Sequence, residues 1–470
     1  MKILLIWGPL RPEEIYGSLT ESAPVLPPLE LAYIASFLRG KGNNVKLIDA
    51  QALELSLEAV QNIVREEKPD IVGATTNSPI FSLIYSVYSR SLEVLSTVKN
   101  VDPGIKTFLC GYFPTLSPIE VLSRSEVDYA VIRNAEETVA EICDALKSGT
   151  GMDDIRGLAH KKNGQIIINP ERHFPADLDF LPIPAFDLLP MEKYRIASDN
   201  PVPIKGISIR ATRGCGFGCY FCSAPGFWKG NICSHSPEYI LKMMNYIHEK
   251  YGYTRFQFHD DNFGRDKKWI MRFCELLKQN RKDFVWDCYE RFDLIDAEML
   301  TAMRESGCVM ISLGVEAGDE RLIKKAKGIS LSTVHQGMAL LKNSGIKTRL
   351  FFMIGPPAET AADIKNSIKL AIRLDPDVFI ATVSIPYPGS RFYEDMRSAG
   401  YSPDFMNKLI PIYEAPFDFP NFSRDFLNKM IKQAYRSFYL RPGYIFKHWR
   451  KIFNHTDFQY FLKGLDFILK

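Results

Sequence analysis

The sequence predicts an α/β protein in three parts: a parallel sheet with helices on both faces, a barrel or part of one, and a helical carboxyl-terminal segment. Three observations carry this reading. Apolar runs of strand length alternate with helical periods over about the first 147 residues. A proline-rich stretch then breaks the pattern. From Gly206 the alternation resumes and yields six strand–helix pairs. Strands that alternate with helices pair in parallel, because each crossover helix carries the chain back to the starting edge of the sheet.

In the first part, Lys2–Trp7, Val45–Asp49, Asp70–Ala74, Thr107–Cys110 and Asp128–Ile132 read as buried strands. Leu29–Arg39, Leu55–Arg65, Leu83–Val98, Pro118–Ser123 and Glu136–Leu146 carry helical periods between and after them. Ligands on such sheets bind beyond the carboxyl ends of the strands. The loops Thr75–Ser78, Gly111–Thr115 and Arg133–Glu137 belong there. Asn163-Gly164 signals a hairpin. Pro170 to Pro190 is too rich in proline for helix and reads as a connector. Barrel strands are expected at Gly206–Ala211, Arg255–His259, Phe284–Cys288, Val309–Leu313, Thr348–Met353 and Val378–Ser384. Pro237–Lys250, Lys267–Gln279 and Leu331–Ser344 are among the helices. Sites in barrels lie at the carboxyl ends of strands. The expected parts are 1–148, a hairpin and linker over 149–200, the barrel over 201–400, and a helical region over 401–470.

Composition narrows the functional classes. With 470 residues, the chain is long enough for two to four domains. Basic and acidic residues number 58 and 55, for a net charge of +3, which gives no nucleic-acid footprint. Met1–Trp7 ends at Gly8-Pro9 and suits a buried strand better than an export signal. No apolar run reaches the ~18 residues of a membrane span. Nine cysteines without framework spacing argue for reduced thiols, and so for a cytoplasmic protein.

Three of those cysteines stand together in Arg213-Gly214-Cys215-Gly216-Phe217-Gly218-Cys219-Tyr220-Phe221-Cys222, just after the first barrel strand. Three thiolates spaced Cys-x3-Cys-x2-Cys can hold three corners of a [4Fe–4S] cluster and leave one iron open. Glycines let the backbone fold tightly round it. Zinc is the alternative. It normally shows paired spacings and a fourth ligand, and His235, in a polar loop, is the one nearby residue that could serve.

This segment resembles the signature of the radical S-adenosylmethionine superfamily, including Phe221 before the last cysteine. The resemblance implies that Cys215, Cys219 and Cys222 hold the cluster and that its open iron is chelated by the methionine part of S-adenosylmethionine. Reduction would then yield a 5′-deoxyadenosyl radical that takes a hydrogen atom from substrate. Later segments match in order. Asp260-Asp261-Asn262-Phe263 resembles an acidic segment beside the cofactor's amino group. Arg291 matches an arginine that could hold the methionine carboxylate. Gly314-Val315-Glu316-Ala317-Gly318 places Glu316 at the ribose hydroxyls, and Lys327-Gly328 follows. The segment Phe352 to Thr360, with Gly355, resembles one that supports adenine. Pro386-Tyr387-Pro388-Gly389-Ser390 resembles the element after the sixth strand. Phe221, Asp260, Asp261, Arg291, Glu316, Lys327 and Gly355 are thus the implied contacts to S-adenosylmethionine.

The first 147 residues resemble the cobalamin-binding, Rossmann-like domain found ahead of class B methyltransferases of this superfamily, through Leu26-Pro27-Pro28-Leu29-Glu30-Leu31-Ala32-Tyr33 and Asp49. Leu29, Thr76, Asn77, Gly111, Tyr112, Glu136 and Thr138 are the implied cobalamin contacts. The chain departs from the pattern in three respects. It lacks Asp-x-His-x-x-Gly, Arg133 and Ala135 replace glycines where backbone approaches ligand, and Gly111-Tyr112-Phe113-Pro114-Thr115 lacks the histidine often seen in that loop.

The resemblance implies cobalamin-dependent methylation of an unactivated carbon. Cyclisation or rearrangement of the substrate is the second reading, and a non-catalytic iron–sulfur protein the third. A small-molecule or lipid-like substrate and an electron donor such as flavodoxin or ferredoxin are the implied partners. No residue is assigned to substrate; Tyr112 and Tyr387 are candidates, and aromatic packing explains each equally well. The tail, aromatic and basic from about Phe405 and including Tyr444, Phe446, Lys447, His448, Trp449, Arg450, Lys451 and Phe453, reads either as a helix closing the barrel mouth or as a membrane-surface contact.

Overall fold

The computed structural model describes residues 1–78, 80–198, 203–280, 282–356, 358–401 and 408–452. Pro357, Phe405 and Phe453, the junction at 199–202, and the side chains of Trp449, Arg450 and Lys451 lie outside the described residues.

The first sheet comprises β1 (Lys2–Trp7), β2 (Asn44–Asp49), β3 (Ile71–Thr75), β4 (Lys106–Cys110), β5 (Tyr129–Val131), β6 (Leu158–Lys162) and β7 (Gln165–Ile168), in the order β2-β1-β3-β4-β5-β6-β7. The first five are parallel. All five residues of β3 are buried, as expected of a central strand covered on both faces. The Asn163-Gly164 hairpin, expected within the linker, instead adds β6 and β7 antiparallel to β5 as the edge of this sheet.

After the proline-rich connector come β8 (Arg195–Ile196) and β9 (Ile204–Lys205), which pair with each other. The barrel follows as β10 (Ile207–Ile209), β13 (Arg255–Phe258), β14 (Val285–Glu290), β15 (Cys308–Glu316), β16 (Lys347–Ile354) and β17 (Val378–Val383), all parallel and in chain order. Between the first two, β11 (Thr212–Arg213) and β12 (Cys233–Ser234) form a short ribbon that frames the cysteine segment.

Six strands do not close a barrel, so β17 is an edge with unpaired backbone groups. The helix Arg424–Tyr439 covers it. Tyr439 bonds both backbone groups of Phe379, accepting from its N–H (3.0 Å) and donating to its carbonyl (2.7 Å). Tyr435 does the same at Ala381, at 3.2 and 3.3 Å. Tyr435 and Tyr439 therefore seal the side of the barrel, while Tyr444 and His448 of the tail line its cavity. Phe446, on the last helix Pro442–Ile452, stays 80% exposed. No helix among the described residues is long and apolar enough to cross a membrane.

Candidate functional site

The carboxyl ends of both sheets meet across one cavity of about 730 Å³. The cysteine segment forms part of its wall and is fixed at its start. Gly214 sits at φ +105, and a Cβ there would come within 2.2 Å of the Asn231 carbonyl, so only glycine makes this turn. Its N–H donates to Asp261 Oδ2 at 3.0 Å. One residue earlier, the buried Arg213 guanidinium donates to Glu136 Oε1 (2.6 Å), Glu136 Oε2 (3.2 Å) and Asn134 Oδ1 (3.1 Å) of the first domain. Arg213 also lies over the Tyr33 ring at 5.1 Å. Behind it, Tyr33 Oη pairs with His235 Nε2 at 3.0 Å, and His235 Nδ1 faces Asp179 at 3.3 Å.

Cys215, Cys219, Cys222 and Phe221 all line the cavity. Burial raises the Cys215 thiol and pushes Cys222 far up, so these sulfurs become thiolates readily only beside a positive centre. Among the described residues, no three His, Cys, Asp or Glu side chains are placed to hold a single metal ion. A cubane, which offers each thiolate its own iron, suits sulfurs spread along a wall. His235, the residue considered as a zinc ligand, is committed to Tyr33 and Asp179.

Residues lining the same space carry buried polar atoms without partners. Asp260 is buried; its Oδ1 accepts from Thr212 Oγ1 (2.8 Å) and from the Ala211 and Thr212 N–H groups, while its Oδ2 has no partner. Glu290 Oε1 and both side-chain polar atoms of Asn262 are likewise unpaired. Burial lifts Asp260 to about 7 and Glu290 to about 8. Such carboxyls are costly to bury unless a polar or cationic ligand meets them. The lining therefore fits a cofactor bearing ammonium and sulfonium charge.

Glu316 also lines the cavity, at φ +71, with Lys327 Nζ 3.3 Å from its carboxylate and 2.8 Å from the Gly314 carbonyl. Two of the expected residues have close partners within the chain. Arg291 lines the cavity, but its bidentate partner is Asp293 (2.9 and 3.0 Å), and its free edge donates to Cys219 Sγ at 3.4 Å. Gly355 does not line the cavity. Its N–H is taken by Glu359 Oε2 at 2.6 Å, and it packs against Leu427 of the helix covering the barrel edge.

From the first domain, only Asn77 and Tyr112 of the seven expected residues reach the cavity. Tyr112 Oη approaches Asp261 Oδ1 at 3.5 Å, a direct link between the two sheets. The other five are committed elsewhere. Leu29 is core at the start of its helix. Thr76 bonds the Cys110 carbonyl and the Phe113 N–H. Gly111, at φ +100, leaves no room for a Cβ against Thr76 and Asn77. Glu136 holds Arg213, and Thr138 donates to the Arg156 carbonyl. Arg133, which replaces a glycine, keeps that backbone shape at φ +66. Its side chain turns to Glu171 (3.2 Å), the Gly226 carbonyl and the Phe174 ring, so it stays out of the cavity.

Glu290 and Arg213 are the residues that sequence reasoning passed over, although each stands beside one it named. A carboxylate at the last position of a barrel strand was the available signal for Glu290.

The family model "Radical SAM superfamily" matches residues 209–371, and "B12 binding domain" matches residues 18–143. An uncharacterized methyltransferase of Pyrococcus horikoshii is 31% identical over 462 residues, covering 97% of this chain and 96% of the relative. The anaerobic magnesium-protoporphyrin IX monomethyl ester cyclase of Rubrivivax gelatinosus is 27% identical, covering 89% of this chain and 75% of the relative. The fold matches that of the radical S-adenosylmethionine methyltransferase TsrM from Kitasatospora setae, a structure with cobalamin and a [4Fe–4S] cluster bound, at a TM-score of 0.68. That match has 15% identity and covers 85% of this chain and 74% of TsrM.

Two outcomes follow from the Arg213 network. Glu136→Gln leaves a buried guanidinium underpaired and should cost about 3 kcal/mol, read as a lower urea midpoint. Glu136→Met with Arg213→Met should cost clearly less than the sum of the single changes. The second outcome concerns pH. Burial first, and the Arg213 charge second, push His235 down to about 4. The unfolded chain protonates histidine near 6.5, so from there to about 4 the unfolded state takes up a proton that the folded state does not. His235 should therefore stabilise fully above about pH 6.5 and lose up to about 3 kcal/mol by pH 4. Urea midpoints of wild type and His235→Gln, compared at pH 7.5 and 5, should converge or cross on acidification; a constant gap contradicts the assignment.

Proposed function

The chain belongs to the radical S-adenosylmethionine superfamily and carries a B12-binding domain ahead of the radical region; from that premise we propose that it methylates an unactivated carbon of a small molecule. The two regions imply a [4Fe–4S] cluster, S-adenosylmethionine and cobalamin as cofactors. These groups would supply one-electron cleavage of S-adenosylmethionine to methionine and a 5′-deoxyadenosyl radical able to take a hydrogen atom from substrate, and a methyl group carried on cobalamin.

One observation carries the proposal: thiols, unpaired acids and first-domain residues line a single cavity between the facing strand ends. Cys215, Cys219 and Cys222 would hold three irons. Arg291, anchored by Asp293, donates to Cys219 Sγ and would offset thiolate charge there. Asp260, Asp261 and Glu290 would meet the cationic end of S-adenosylmethionine, and Glu316, steadied by Lys327, would accept from ribose hydroxyls. Asn77 and Tyr112 present the first domain's side of the site. A protein electron donor such as flavodoxin or ferredoxin would supply the reducing electron.

The similarity to a cyclase supports a second reading, oxidative cyclisation driven by the same radical. The two differ in the fate of the cofactor's methyl group.

The test is anaerobic reconstitution followed by reduction with S-adenosylmethionine carrying a labelled methyl. Wild type should release 5′-deoxyadenosine and pass label to an organic product. Changing all three cysteines to alanine should abolish both. Glu316→Gln should weaken S-adenosylmethionine binding by about tenfold, the scale of one charged hydrogen bond. Radical formation without label transfer would favour cyclisation. A cluster-loaded protein that makes no 5′-deoxyadenosine would overturn both readings.

A further inference from the structure

The cavity changes character away from the thiols. At the sulfur end its charged lining groups are the acids Asp260, Asp261, Glu290 and Glu316 together with Arg210, Arg291 and Lys327. Deeper in the barrel, among the described residues, the charged lining group is Arg349. Tyr289, Ser312 and Arg349 occupy adjacent register positions on β14, β15 and β16, and all three line the cavity. Arg349 is only 3% exposed. Its guanidinium carries five N–H donors. It uses them on neutral acceptors: Ser312 Oγ at 3.4 Å and the Ser198 carbonyl at 3.2 Å. Among the described residues no carboxylate makes an ion pair with it. The nearest acid influence is Asp287, whose Oδ1 is held by Gln257 at 2.8 Å. Burial, opposed by the Arg349 charge, leaves Asp287 raised to about 6.

Asp287 offsets part of the Arg349 charge without pairing to it, and a buried guanidinium bonded only to neutral acceptors keeps donors for a charged ligand. Guanidinium is also the side chain best shaped to grip a carboxylate or phosphate through paired donors. The walls around it are of another kind. Phe351, Phe379, Ile380, Ile412, Tyr435 and Tyr444 line the same cavity. Such a lining favours an apolar body with one placed polar group.

We propose that Arg349 anchors the carboxylate or phosphate of the substrate, with Ser312 beside it, and that the substrate's remaining body is apolar and lies along the aromatic wall. The acids near the thiols would take the cationic cofactor, and Arg349 takes the anionic group. This assignment rests on the proposed radical chemistry for what happens to the bound molecule, but not for the binding itself.

The test uses the full chain and three probes: dodecanoate, dodecyl phosphate and methyl dodecanoate, titrated below their aggregation limits. At least one anionic probe should bind wild type ten or more times more tightly than the neutral ester. The better anion identifies carboxylate or phosphate as the natural group. Arg349→Gln should erase the preference, and Arg349→Lys should keep part of it, with circular dichroism checking the fold. Ile380→Trp, which narrows the apolar wall, should weaken anions and ester alike and covers the case in which Arg349→Gln does not fold. Equal binding of acid and ester by wild type overturns the proposal, as does an unchanged preference in Arg349→Gln or undiminished binding in Ile380→Trp. The cysteine-to-alanine protein separates this from the radical reading: it should make no 5′-deoxyadenosine yet still prefer the anion.

Discussion

The buried ion pair between Arg213 and Glu136 is the constraint on which the site depends. Arg213 lies two residues before Cys215, and Glu136 opens the helix Glu136–Ser148 that follows β5. At 2.6 Å, with Asn134 and the Tyr33 ring completing the guanidinium's surroundings, the pair joins the cysteine segment to the first sheet. A pair buried this deeply adds little net stability when both partners are present. Its value is positional. It fixes the angle at which two sheets present their strand ends to one space, and Tyr112 to Asp261 and Tyr85 to the Pro386 carbonyl repeat the link on other sides.

Electrostatics then divides that space. Near the thiols, burial raises Asp260 to about 7 and Glu290 to about 8, so positive charge placed beside them would favour their ionised forms. Across the barrel, Arg349 reaches into the same cavity from β16 with neutral partners only. Between the two lies an apolar wall, part of which comes from the helix that seals the open barrel edge. The tyrosines of that helix thus serve twice: their hydroxyls satisfy strand backbone, and their rings shape the pocket.

Much of this was legible in the sequence, for identifiable reasons. Strand positions followed from apolar runs buried on both faces, and all eleven expected strands of the two sheets appear within a few residues of their predicted bounds. The cysteine segment and the acids after β13 were legible because their spacing is local. The first domain was harder. Glu136 reads as a ligand-facing residue until its partner, 77 positions away, is known. Arg133 reads as an intruding side chain until Glu171 is seen to draw it aside. Arg349 gives no signal at all in the sequence, since a lone arginine within an apolar strand becomes informative only when its neighbours prove neutral. The Tyr435 and Tyr439 contacts depend on an open barrel edge, a property of the whole fold that no segment displays.

The central claim is that one cavity serves an iron–sulfur cluster and a corrinoid together. The most direct measurement is a joint assay of iron, sulfide and corrinoid in chain purified anaerobically with cobalamin supplied. The account predicts about four irons with roughly one corrinoid per chain. About four irons with no corrinoid, even after reconstitution, would contradict it.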